Sequence, residues 1–127
     1  MKLLKISLIA LFIVSSFAAC KKDKQNVVPI EGKWTGKGGL GATADKDFTF
    51  IIKPNEMLEV TLANGQVFTG KWKLDGNNFT ANYPGGFNIT YYYKATFNST
   101  TGELRAGTWG VDPATTNMGT WYMDKAK

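Results

Sequence analysis

The chain has 127 residues, a formal net charge of +5, no histidine and a single cysteine. That length fits one domain of modest size and argues against a second. Without histidine, histidine-based catalytic triads, imidazole metal sites and heme ligation by histidine are excluded, and a lone cysteine excludes an internal disulfide.

In chain order, a basic start (Met1-Lys2-Leu3-Leu4-Lys5) leads into an apolar run from Ile6 to Phe17, which ends in Ala18-Ala19-Cys20. Small residues directly before a cysteine are what a lipoprotein signal peptidase requires, and the thiol of the new first residue accepts the lipid. Residues 1–19 are therefore expected to be a signal peptide and Cys20 a lipidation site carrying a diacylglycerol and an acyl chain such as palmitate. The apolar run is short for a membrane span, which needs roughly 20 residues, so the mature chain is expected to be anchored to a membrane and not to cross it. Lys21 at the next position is not the aspartate that retains lipoproteins at the inner membrane, which directs the expectation to the outer membrane of the cell envelope. Residues 20–29 read as a lipidated tether. Lys21-Lys22-Asp23-Lys24 beside acidic headgroups suits a charged spacer, and Pro29 closes it. The other basic residues are scattered, so no nucleic-acid partner is expected.

From residue 30 to residue 127 the chain is a run of short segments rich in aromatic and β-branched residues, separated by Gly, Asn, Asp and Pro, with no helical period. Eight strands are expected: Gly32 to Lys37, Phe48 to Lys53, Met57 to Leu62, Gln66 to Leu74, Phe79 to Tyr83, Phe87 to Asn98, Glu103 to Val111 and Met118 to Asp124. Ala63-Asn64-Gly65-Gln66, Asp75-Gly76-Asn77-Asn78, Pro84-Gly85-Gly86 and Ser99-Thr100-Thr101-Gly102 supply tight turns between antiparallel neighbours. Phe48, Phe50 and Ile52 share a face, as do Leu58, Val60 and Leu62, and Phe68, Gly70, Trp72 and Leu74. In the sixth segment Phe87, Ile89, Tyr91, Tyr93, Ala95 and Phe97 share the inward face. The class is all-β, and the expected architecture is an antiparallel up-and-down eight-stranded β-barrel, with a two-sheet β-sandwich as the alternative. The glycine-rich run from Gly36 to Thr43 lacks the Lys-Ser and following helix of a phosphate cradle and reads as a flexible lid over the barrel mouth. Asp45 and Asp47, and Glu56 with Glu59, read as solvated carboxylates and not as an acid–base pair, so no catalytic residue and no cofactor is expected.

All four tryptophans stand in Gly-x-Trp: Gly32-Lys33-Trp34, Gly70-Lys71-Trp72, Gly107-Thr108-Trp109 and Gly119-Thr120-Trp121. Gly and Trp two apart on a strand point to one side, so the indoles either fill a small barrel or line a ligand box. The candidate wall is Trp34, Trp72, Tyr91, Tyr93, Trp109 and Trp121, with Trp109 and Trp121 close together across adjacent strands.

The opening Ile30-Glu31-Gly32-Lys33-Trp34-Thr35-Gly36 followed by a meander resembles the calycin superfamily of lipocalins, fatty-acid-binding proteins and avidins. The Gly-Thr-Trp segments at Gly107–Trp109 and Gly119–Trp121 resemble small lipocalin-like lipoproteins of Bacteroidetes-type bacteria. The lipocalin resemblance implies that Trp34 closes the barrel floor beneath an arginine of the last strand, yet the last strand here contains none. The biotin-binding Asn and Ser of avidins are replaced by Gly36-Lys37-Gly38-Gly39, so biotin binding is not implied. Two function classes follow: a membrane-anchored module that binds a small hydrophobic or aromatic ligand, and a non-catalytic interaction or inhibitor barrel that presents loops to a macromolecule. Oligomeric state is not encoded in these motifs.

Overall fold

A computed structural model describes residues 27–127; residues 1–26, including Cys20 and the signal segment, lie outside the described residues. The described residues form eight strands and no helix: β1 (Gly32–Leu40), β2 (Lys46–Ile52), β3 (Met57–Leu62), β4 (Val67–Asp75), β5 (Asn78–Pro84), β6 (Thr90–Asn98), β7 (Glu103–Val111) and β8 (Ala114–Lys125). Each pairs antiparallel with the next, and β1 pairs with β8, so the sheet closes into an up-and-down barrel. Closure removes the sandwich alternative and leaves no exposed sheet edge.

Alternation decides which side chains enter the barrel. Inward positions put Trp34, Phe50, Ile52, Leu58, Val60, Phe79, Leu104, Trp121 and Met123 in a fully buried core, and no polar side chain is buried among the described residues. Lys71 and Lys73 flank Trp72 on the outer face, as the period of two requires. A register shift between Leu104 and Gly107 puts one extra residue into β7 against β8, with Ala106 at positive φ (55°).

Three segments differ from the sequence expectation, the simplest being β8, which begins at Ala114 and not at Met118. The glycine run is not a lid: Gly36, Gly38 and Gly39 are strand residues of β1, paired with Met123, Trp121 and Thr120. A side chain at Gly36 would meet the Tyr122 carbonyl oxygen and lie 2.7 Å from Met123 Cα, and one at Gly38 would crowd Phe48 and Trp121. These glycines are what lets the last strand approach the first closely enough to close the barrel. The sixth strand also begins later than expected, at Thr90. Phe87 and Asn88 adopt positive φ (54° and 60°), which extends the Pro84-Gly85-Gly86 turn into a loop and carries Phe87 out to 99% exposure instead of inward.

The barrel has two unlike ends. At the closed end Trp34 is fully buried, and its Nε1 donates to the Ile30 carbonyl oxygen at 2.7 Å. Lys125 of β8 lies over the Trp34 ring, its Nζ 5.5 Å from the centroid, and donates to the carbonyl oxygens of Pro29 (2.7 Å) and Glu31. A lysine thus takes the covering position that the lipocalin resemblance gives to an arginine, and burial lowers its pKa from the ordinary lysine value. The other end is the mouth, where β1 ends, β2 begins, and the β3–β4, β5–β6 and β7–β8 connections lie.

Candidate ligand-binding cleft

The six aromatic residues singled out from the sequence separate along the barrel axis. Trp34 is the floor of the closed end. Trp72 also lies toward that end: its Nε1 donates to the Lys53 carbonyl oxygen at 2.7 Å, and it borders a separate hollow of about 560 Å³ with Ile30, Glu56 and Leu74. Trp121 sits in the middle of the core at 2% exposure. Tyr91, Tyr93 and Trp109 lie toward the mouth, where Tyr93 and Trp109 help line a cleft of about 730 Å³. That volume falls within the few hundred to about a thousand Å³ usual for small-molecule sites.

Antiparallel register explains the placement of the two C-terminal indoles. Trp109 is opposite Gly119, and Trp121 is opposite Gly107, so each Gly-Thr-Trp packs its indole over the glycine of the other. A side chain on Gly119 would come within 2.8 Å of the Trp109 ring, and one on Gly107 within 2.9 Å of the Trp121 ring. The indoles therefore do not form one wall against each other. Tyr93 contacts both, stacking on Trp109 at 6.3 Å with rings 20° apart and meeting Trp121 edge-on at 5.6 Å.

Sequence reasoning missed the other side of the cleft. Phe48 of β2 and Leu62 of β3 are opposite each other in register, and with Leu40 they complete the apolar lining. The signal was present in the alternation Phe48, Phe50, Ile52, whose first member lies nearest the mouth. Behind this lining runs a chain of stacked rings, Phe68 on Tyr83 (5.3 Å), Tyr83 on Tyr91 (5.3 Å) and Tyr83 on Tyr93 (5.8 Å). The Tyr83 and Tyr93 hydroxyls are 3.3 Å apart. Burial is the main reason that both phenols have pKa values pushed above the ordinary tyrosine value, with Tyr93 shifted far up.

The chemistry this offers is contact with ring faces. All four indole N–H groups already donate to the chain's own carbonyl oxygens, Trp109 to Gly39 at 2.8 Å and Trp121 to Thr108 at 3.0 Å. The deep wall is uncharged, because the buried phenols stay neutral. Charge is confined to the rim, where Asp45, Lys46 and Asp47 border the cleft and Asp47 pairs with Lys37 at 3.1 Å. Among the described residues no three His, Cys, Asp or Glu side chains gather to hold a metal ion. The closed antiparallel eight-stranded barrel is compatible with a lipocalin-like fold. The chain matches no protein-family model, no curated protein and no solved structure.

Proposed function

We propose that this chain is a small lipocalin-like lipoprotein, non-catalytic and tethered to the outer membrane through a lipid on Cys20, that binds a small hydrophobic or aromatic ligand at its barrel mouth. The cleft of about 730 Å³ between Phe48, Leu62, Tyr93 and Trp109 carries this reading. Its deep wall of Phe48, Leu62, Tyr93 and Trp109 is apolar and aromatic, the Trp109 N–H and the Tyr93 hydroxyl are committed to internal hydrogen bonds, and Asp45, Lys46 and Asp47 stand at the rim, so a flat or extended apolar body is the guest it suits. Below Tyr93 the interior is filled by Trp121, Phe50 and Phe79, which limits the guest to the upper part of the barrel.

Titration of the protein with flat apolar probes and fatty acids tests the reading through tryptophan emission. Saturable quenching that is lost in Trp109→Ala and kept in Trp72→Ala is the expected outcome. Quenching that depends on Trp72 would move the site to the closed end, and none would remove it. The second reading, an interaction module with a filled barrel, draws on one feature, the fully exposed Phe87 at the tip of the β5–β6 loop.

A further inference from the structure

Seven large apolar side chains are exposed among the described residues, and five of them stand at one end of the barrel. Leu40 ends β1, Val67 follows the β3–β4 turn, Phe87 and Ile89 occupy the β5–β6 loop, and Met118 on β8 is beside the Gly41 bridge. All five surround the mouth, while only Val27 and Met57 are at the closed end. Leu40 is 67% exposed, Val67 57% and Phe87 99%. Phe87 is held outward by a left-handed backbone that a non-glycine residue adopts unfavourably, so its exposure is built into the loop. Gly85 N–H donates to the Ile89 carbonyl oxygen at 2.8 Å and Ile89 N–H to the Gly86 carbonyl oxygen at 3.0 Å, which fixes the loop's form.

We infer that the mouth rim is a membrane-docking surface, which inserts Leu40, Phe87 and Met118 into the apolar edge of a lipid bilayer. The side chains stand singly round an opening, which suits a fluid apolar phase better than the contiguous, shape-matched patch of a protein interface. The charges nearest the rim are Lys37, Lys46, Asp45, Asp47 and Asp112, of both signs, so attachment does not depend on acidic lipid. The chain outside the described residues permits the orientation. It enters at Val27 by the closed end, where Val28 N–H donates to the Ser99 carbonyl oxygen. The seven residues from Cys20 reach at most about 25 Å. A nine-residue strand tilted as in an eight-stranded barrel rises about 23 Å, so a lipid on Cys20 leaves enough reach for the mouth to face the same bilayer.

The inference stands without either a lipid anchor on Cys20 or a ligand in the cleft, and its test uses neither. The strands, their closing β1–β8 ladder and the core lie wholly within residues 27–127, so the unlipidated chain from Lys21 onward contains the whole fold. It is sedimented with vesicles of phosphatidylcholine and phosphatidylethanolamine, on which the basic tether has no acidic headgroup to attract it. Expected is a saturable partition that is unchanged between about 0.05 and 0.5 M salt. Leu40→Ser with Phe87→Ser lowers the partition about tenfold or more at an unchanged melting temperature, while Met57→Ser at the closed end leaves it as it was. Absence of partitioning would overturn the inference and return the rim to a protein partner. So would an equal loss on Met57→Ser, or a dimer forming in solution that is abolished by the same rim pair.

Discussion

Replacing Trp121 by alanine removes the side chain on which the barrel interior is built. Its indole lies 5.6 Å from Phe50 and from Tyr93, 6.0 Å from Phe48 and 6.2 Å from Phe79, centroid to centroid. Truncating a buried Phe or Trp costs about 3–5 kcal/mol, and the spread reflects how far the surroundings collapse into the space left. Collapse is poor here, because the strands around the cavity are hydrogen-bonded in a closed ring. The Thr108 carbonyl oxygen also loses the indole donor now 3.0 Å away, a further effect of about 1 kcal/mol. A total near the upper end of that range corresponds to a fall in melting temperature of about 15–30 °C for a domain of this size. Thermal unfolding followed by circular dichroism, with urea midpoints as a second measure, reads it directly. Trp72→Ala is the comparison: half-buried at the closed end with one hydrogen bond to Lys53, it is expected to cost about half as much. A loss below about 5 °C for Trp121→Ala, or one no larger than for Trp72→Ala, would refute the placement of Trp121 at the centre of the core.

Three further outcomes are expected. Gly119→Ala brings a methyl group against the Gly39 carbonyl oxygen and the Trp109 ring, so it should destabilise by about 1–3 kcal/mol and weaken probe quenching together; melts within 0.5 kcal/mol of the parent chain, roughly the scatter of surface changes, would contradict the interlock. Burial raises the Tyr83 phenol above its ordinary value of 10.0 in the folded barrel and the Tyr93 phenol far above it, so the native state keeps protons that the unfolded chain releases above that pH. Stability should hold below about pH 9 and then fall as pH rises, by up to about 1.4 kcal/mol per pH unit from Tyr93, with the phenolates of Tyr83 and Tyr93 appearing only as the barrel unfolds; ionisation of these two phenols while the barrel is still folded would contradict their burial. Cys20→Ala should leave an unprocessed precursor that takes up no labelled fatty acid, and equal labelling of that variant would remove the anchor.

The fold was legible in the sequence where period-two alternation and turn residues agree, as at Phe48-Phe50-Ile52 and Asp75-Gly76-Asn77-Asn78. Alternation tells which side of a strand is buried but not how high along the barrel a residue stands. That is why six aromatic residues sharing the inward side separate into a floor, a core and a mouth. Gly38 and Gly39 read as a loop because glycine has poor strand propensity. The purpose of Gly36 and Gly38 depends on β8, more than eighty residues later in the chain, whose backbone and Trp121 occupy space their side chains would need. Phe87 and Ile89 continue the parity of Tyr91 and Tyr93, and only the positive φ of Phe87 and Asn88 interrupts it. Repetition of Gly-x-Trp was visible, but not its meaning, since the glycine that receives each C-terminal indole belongs to the partner strand. Lys125 covering Trp34 was hidden for the same reason, the contact joining the two ends of the barrel domain.

Native mass spectrometry of the protein extracted in mild detergent from its own host's membranes tests the central proposal most directly. A stoichiometric non-covalent adduct of small-molecule mass that survives in Trp72→Ala and is absent from Trp109→Ala is the result predicted for a ligand held against Tyr93 and Trp109. A bare chain, or an adduct indifferent to Trp109, would contradict a ligand site at the barrel mouth.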